Sequence, residues 1–117
     1  MWVVLFLDLD NLEYYGYIPE IPEDRESRVE IYRFDIPREY WDCFEKDFIN
    51  PVDGQLDALI DIGDVDFLNA DKCKKIIEWL DDRLTKPTPP VLKPFYEKLR
   101  EYSFRAVELN TGVEIQL

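Results

Sequence analysis

Asn69-Ala-Asp-Lys-Cys-Lys-Lys-Ile-Ile-Glu-Trp-Leu-Asp-Asp-Arg-Leu84 reads as an amphipathic helix over roughly residues 70–85. Cys73, Ile76, Ile77, Leu80 and Leu84 fall on one face at helical spacing, and Asn69 or Asp71 offers a capping side chain. Such a helix has to bury its stripe, so the rest of the chain must supply a facing layer. Downstream, Lys86-Pro87-Thr88-Pro89-Pro90 cannot continue the helix, because proline lacks the N–H. A further helix is expected from about Val91 or Pro94 to Leu109, with Leu92, Phe95, Tyr96, Leu99, Tyr102, Ser103 and Ala106 on one face. Asn110-Thr111-Gly112 is expected to stop it, glycine taking the left-handed cap. Val113-Glu-Ile-Gln-Leu117 alternates and reads as a half-buried strand.

Upstream of the helix, a short strand is expected around Val65–Leu68 and another over residues 56–62, Leu-Asp-Ala-Leu-Ile-Asp-Ile. Asn50-Pro51 and Asp53-Gly54 mark a turn before them. Asp35 is a candidate cap for a helix started by Pro37, with Tyr40 or Trp41, Phe44 and Phe48 at helical spacing. Residues 28–35 are rich in β-branched and aromatic types and read as a strand. The continuous apolar run Trp2–Leu7 reads as a buried one. Between them lies an acidic, tyrosine-rich loop or ragged hairpin. The order β-β-α-β-α-α-β predicts one α+β domain over residues 1–117, a small, mostly antiparallel sheet packed by about three helices.

Charge is the most informative bulk property. The net charge of this 117-residue chain is −12. Asp8, Asp10, Glu13, Glu20, Glu23 and Asp24 occupy a segment with no Lys or Arg, and so do Asp53, Asp57, Asp61, Asp64, Asp66 and Asp71. These two segments carry the whole net charge, since elsewhere acids and bases balance. Phosphate repels such a surface, which argues against direct binding of nucleic acid. A basic protein partner is favoured, and steering would speed the encounter. Solubility alone is the plainer account of the same charge. No apolar run reaches the length of a membrane span. Cys43 and Cys73 have no paired spacing, and the Met-Trp-Val-Val start has no basic region or cleavage site, so a reducing cytoplasm is the expected setting.

Composition also narrows the chemistry. The absence of histidine removes Ser-His and Cys-His nucleophile pairs and histidine metal sites. The four glycines are isolated, so there is no phosphate-cradling loop. Cys73 sits on the apolar helix face and reads as structural. Neither a metal nor another cofactor is expected. Carboxylates remain. Leu5-Phe-Leu-Asp8-Leu-Asp10-Asn11-Leu12 resembles the start of haloacid-dehalogenase-type phosphotransferases, in which an apolar strand ends in Asp-x-Asp. That resemblance implies Asp8 as nucleophile and Asp10 as acid/base, with Asp61-Ile-Gly63-Asp64 similar to the acidic metal motif. The chain departs from the family at Leu12, at Phe67 and Leu68 where a further Asp belongs, and in its short length. This magnesium-dependent phosphatase reading ranks below a non-enzymatic one.

Tyr14, Tyr15 and Tyr17 stand in the first acidic segment beside Ile18 and Ile21. Tyrosine buries area at low entropic cost and keeps a polar tip, and carboxylates around it suit a Lys- or Arg-rich partner. A hairpin packed on the sheet is the alternative role. Trp79 and Phe104 either pack on neighbouring elements or mark exposed patches. Asp66-Phe-Leu-Asn-Ala-Asp-Lys-Cys-Lys-Lys-Ile-Ile-Glu-Trp-Leu80 and Ala106-Val-Glu-Leu-Asn-Thr-Gly-Val-Glu-Ile115 resemble small bacterial immunity proteins of polymorphic or contact-dependent toxin systems. The resemblance covers about half the chain and implies a cytoplasmic inhibitor of a cognate toxin, which includes basic nuclease domains. That family has no universal site motif. The candidate binding residues, Tyr14, Tyr15, Tyr17, Glu20, Glu23 and Asp24, then Asp61, Asp64 and Asp66, therefore come from charge and aromatic clustering. The rival is a regulatory or structural interaction subunit.

Overall fold

A computed structural model describes residues 1–117, apart from the side chain of Arg25. The chain runs through β1 (Trp2–Phe6), a minimal hairpin of β2 (Tyr14–Tyr15) and β3 (Ile18–Pro19), a single turn α1 (Arg25–Arg28) and β4 (Val29–Arg33). A broken helical stretch follows: a 3-10 turn (Arg38–Tyr40), α2 (Trp41–Phe44), a π turn (Glu45–Ile49) and α3 (Asn50–Leu56). The chain ends with β5 (Val65–Asn69), α4 (Ala70–Arg83), α5 (Lys93–Leu109) and β6 (Gly112–Gln116). The fold is α+β. Its main sheet has the order β4-β1-β6-β5, and every pairing is antiparallel.

The two sheet faces are covered differently. Val3, Leu5, Leu68, Val113 and Ile115 face the helices and join Phe44, Phe48, Ile76, Leu80, Phe95, Tyr96 and Leu99 in the main core. Of the stripes read from periodicity, Cys73, Ile76 and Leu80 on α4 are buried while Ile77 and Leu84 are only partly so, and Phe95, Tyr96, Leu99, Tyr102, Ser103 and Ala106 on α5 are buried. Burying one such side chain contributes roughly 1.5–3 kcal/mol. The Asn69 side chain caps α4 by accepting from the Lys72 N–H at 3.0 Å. The opposite face carries Val4, Phe6, Val29 and Phe67, and Leu9, Leu12, Ile18 and Ile21 of the acidic loop lie over them. The loop therefore covers the sheet with its apolar residues and turns its charges outward.

A polar knot ties α4 to the broken helix. Arg83 Nε and Nη2 donate to the Asp47 carboxylate at 3.1 and 3.0 Å, and Arg83 Nη1 donates to the Pro87 carbonyl at 3.0 Å. The Tyr96 hydroxyl donates to the same carboxylate. Burial, and then that bond, hold the hydroxyl well above the ordinary tyrosine range. Trp79 packs on Phe48 and Tyr96, whereas Phe104 is exposed. Cys73 is buried and donates to the Leu68 carbonyl at 3.3 Å, and burial pushes its thiol up to about 12.

Several expectations change. Asn50-Pro51 and Asp53-Gly54 form no turn. The Asn50 N–H reaches back to the Glu45 carbonyl, so the helix widens just before the proline and accommodates its ring. Asp57, in the left-handed region at φ 54°, ends α3. Residues 56–62 are not a strand. Leu56, Ala58 and Ile60 are buried while Asp57, Leu59 and Asp61 are exposed, but the segment joins no ladder. Asp35 caps nothing: Pro37 precedes the first turn, and the Trp41 indole N–H donates to the Ile36 carbonyl at 2.7 Å. Asn110, not Gly112, takes the left-handed cap at φ 54°. Gly112 has another reason to be glycine: a Cβ there would lie 2.6 Å from the Leu68 carbonyl oxygen and closer still to the Phe67 ring. Finally, β6 is central and buried on both faces rather than half-buried.

Candidate protein-binding surface

The two cation-free segments meet at one edge of the sheet. Tyr17 leaves the turn of the β2–β3 hairpin, where Gly16 adopts φ 63°, and its hydroxyl donates to Asp66 Oδ1 on β5. Asp66 is 1 % exposed. Its Oδ1 also accepts from the Phe67 N–H at 2.8 Å, and its Oδ2 accepts from the Leu59 N–H at 2.9 Å. One carboxylate thus fixes the hairpin, the β5 edge and the 57–62 segment. A buried charge needs such donors, since an unpaired one is costly. The bond to Asp66 pushes the Tyr17 hydroxyl up to about 12, because ionising it would place two negative charges together. Nearby, Asp53 Oδ1 accepts from the Ile60 N–H at 2.8 Å. Burial raises the Asp53 carboxyl above the ordinary aspartate value, and Asp66 and Asp61 add to the rise.

Around this joint the surface is aromatic and aliphatic. Tyr15 is 82 % exposed, Leu59 70 %, Tyr17 51 % and Tyr14 48 %. Tyr17, Asp57, Leu59, Phe67, Asn69 and Lys72 line a cavity of about 300 Å³. Glu13 and Glu20 close the hairpin base, the Glu20 N–H donating to the Glu13 carbonyl at 2.7 Å. Lys72 stands at the rim and donates to the Asp57 carbonyl at 3.0 Å. The arrangement sets exposed tyrosine and leucine beside Glu13, Glu20 and Asp57, with one lysine, Lys72, in the cavity lining.

The candidate residues divide between this surface and other places. Tyr14, Tyr15, Tyr17 and Glu20 share the hairpin. Glu23 lines a cleft with Leu12, Glu13, Glu20, Pro22 and Arg28, next to the hairpin base, and Asp24 starts the turn into α1, where its carbonyl accepts from the Ser27 N–H at 3.2 Å. Asp61 and Asp64 form a turn at the other end of β5, with Asp64 beside Met1 and Trp2. Asp66 is corrected from contact residue to positioning residue, because its carboxylate is buried and fully engaged. Sequence reasoning missed Asp57 and Leu59. The available signal was a large apolar residue on the charged phase of the alternation Asp57-x-Leu59-x-Asp61.

The Asp-x-Asp motif ends elsewhere. Arg28 donates to the Asp8 carboxylate and to the Asp10 carbonyl, and the Asp10 N–H donates to Asp8 Oδ1 at 3.1 Å. The bond to Arg28 holds the Asp8 carboxyl below the usual aspartate value. Through β6, β1 and β5 run parallel, so Asp8 follows the end of β1 opposite to the one at which Asp64 enters β5. The two acidic motifs therefore share no centre. Among the described residues no group of His, Cys, Asp and Glu is arranged to hold a metal ion, and no helix is long and apolar enough to cross a membrane. No known protein family, characterised protein or solved structure matches the chain significantly.

Proposed function

We propose that this chain is an acidic protein-binding inhibitor of the immunity type, cytoplasmic, which neutralises a cognate bacterial toxin by covering a basic surface of it. The observation that carries the reading is the joint at Tyr17 and Asp66, which sets exposed Tyr14, Tyr15, Tyr17 and Leu59 among carboxylates from both acidic segments. Exposed tyrosine and leucine supply anchoring area, while Glu13, Glu20 and Asp57 steer a cationic partner and reject anionic ones. The Tyr17–Asp66 bond supports the reading by fixing one of these side chains before binding, which lowers the ordering cost there. A basic nuclease domain fits because its phosphate-binding surface has the complementary charge.

The test is calorimetry against the product of the neighbouring upstream gene at about 0.05 M and about 0.5 M salt. Tight binding that weakens with salt, and weakens again in Glu20→Lys and Asp57→Lys, is the expected result. Binding indifferent both to salt and to these reversals would instead favour a regulatory or structural subunit whose acidity serves solubility. No binding at either salt concentration would remove that partner.

A further inference from the structure

The cavity beside Tyr17, about 300 Å³ in volume, joins apolar walls to uncancelled negative charge. Tyr17, Leu59 and Phe67 supply two rings and an aliphatic wall, and Asp57, Asn69 and Lys72 complete the lining. One buried group fixes two of these walls, since the Asp66 carboxylate accepts from the Tyr17 hydroxyl and from the Leu59 N–H. Its third donor is the Phe67 N–H. All three donors are neutral, so the charge of Asp66 is stabilised but not cancelled. Asp53 stands close enough to feel that charge. At the end of α3, Asp57 is exposed. Among the described residues, Asp53, Asp57 and Asp66 form no ion pair, and the Asp57 carboxylate accepts no hydrogen bond. Lys72 is the only cation among the described residues of the lining, and its ammonium donates to the Asp57 carbonyl rather than to a carboxylate. The carboxylates at this cavity therefore outnumber its one cation.

We propose, resting on the reading of this edge as an inhibitor's contact surface, that the cavity receives one arginine side chain of the basic partner. Charge and wall chemistry select the occupant together. An anionic side chain would face Asp57 with Asp66 behind it. A purely aliphatic one would strip water from the Asp57 carboxylate and give it no partner, which is costly. Arginine meets both demands. Its methylenes pack on Leu59 and Phe67, its planar guanidinium stacks on the Tyr17 ring, and its N–H fork donates to the Asp57 carboxylate. Lysine has neither the plane nor the fork, and its ammonium is more strongly hydrated. The Tyr17 ring is already held through its hydroxyl, so stacking on it costs little ordering. Lys72 repels the incoming guanidinium and weakens the site.

The test titrates N-acetyl-arginine methylamide into the full chain at about 0.1 M salt, followed by amide chemical shifts. A saturable change centred on Leu59, Phe67 and Asn69, with a dissociation constant of about 1 mM, supports the proposal. The neutral isostere, capped citrulline, should bind about tenfold more weakly. Asp57→Asn should weaken arginine binding about tenfold, and asparagine tolerates the left-handed conformation that Asp57 holds at φ 54°, which spares the fold. Lys72→Met should tighten binding about threefold. Shifts spread over both acidic segments without saturation overturn the proposal, as do citrulline binding as tightly as arginine or a response indifferent to both substitutions. Capped lysine binding as tightly overturns the choice of arginine. The probe needs no toxin, so the two readings fail separately. Saturable arginine binding here without binding of the basic partner sinks the inhibitor reading and upholds the cavity's preference. A tightly bound partner indifferent to Asp57→Asn takes the arginine out of this cavity and leaves the inhibitor reading standing.

Discussion

The two edges of the sheet end in opposite ways. At β5 the outward Phe67 N–H is taken by the Asp66 carboxylate of its own strand, and the same carboxylate holds the hairpin and the Leu59 backbone. At β4 the ladder alternation turns Ile31 and Arg33 outward, whereas the Val29 N–H closes the single turn of α1. A single buried aspartate therefore takes one outward donor of the β5 edge and holds the Tyr17 hydroxyl there, and no such side chain stands over Ile31 at the β4 edge. The difference lies in whether a side chain of the strand itself takes up an outward main-chain donor.

The hardest way to break the β5 edge is to push β5 off β6. Gly112→Ala places a methyl against the Phe67 ring and the Leu68 carbonyl, and a loss of about 3 kcal/mol in urea unfolding is expected. A loss below about 0.5 kcal/mol would show that β5 shifts freely, against that packing. Asp66→Ala comes next. It strips acceptors from two backbone N–H groups and a hydroxyl, with an expected cost of about 2–4 kcal/mol. Faster amide exchange at Leu59 and Phe67 should accompany it, and unchanged exchange would deny that Asp66 holds those two donors.

Two titrating groups give smaller effects. Tyr17 has its pKa raised from 10.0 to about 12. Its stabilisation is present below the unfolded value and lost as pH rises through the folded one. Tyr17→Phe should cost about 1 kcal/mol below pH 10, a figure reduced for the exposure of the ring. The gap from wild type should close by about pH 12. Glu114 is buried on the loop face between Val4 and Phe67. Burial raises its pKa above 4.5, with Gln116 opposing. Its protonated form suits the fold, so the stability it contributes in acid is lost as pH rises through the folded value. Glu114→Gln should therefore stabilise the chain by about 1 kcal/mol at neutral pH and change little in acid, as read by thermal unfolding at both. Least of all should change with Tyr15→Ala and Leu59→Ser, within about 0.5 kcal/mol of wild-type stability. Under the proposed function each lowers affinity for the basic partner by about 2 kcal/mol in calorimetry. Intact affinity in both would move the binding surface away from this edge.

How much was legible follows from the range of the forces involved. The stripes of α4 and α5 could be read directly, since a helix facing a core shows its period in the chain itself. Trp2–Leu7 was equally plain, being buried on both faces. Residues 56–62 show where that logic ends. Their two-residue alternation reports real burial of Leu56, Ala58 and Ile60, but pairing depends on a neighbour, and side chains of Asp53 and Asp66 take the donors instead. Asn50-Pro51 looked like a stop because the π turn that admits the proline has no local signature. The candidate site was half legible. Tyrosines among carboxylates were visible at residues 14–24, whereas their meeting with Asp57 and Leu59 crosses dozens of residues and was not.

By itself the sequence determined an α+β fold, its helical faces, and two segments holding all the net charge, because periodicity, proline placement and composition act over a few residues. Tertiary structure alone decided that β6 is central, that Asp66 is buried rather than presented, and that Asp8 and Asp64 lie at opposite ends of the sheet. Strand order and register arise from contacts between segments distant in the chain, and no local pattern encodes which edge a strand will meet.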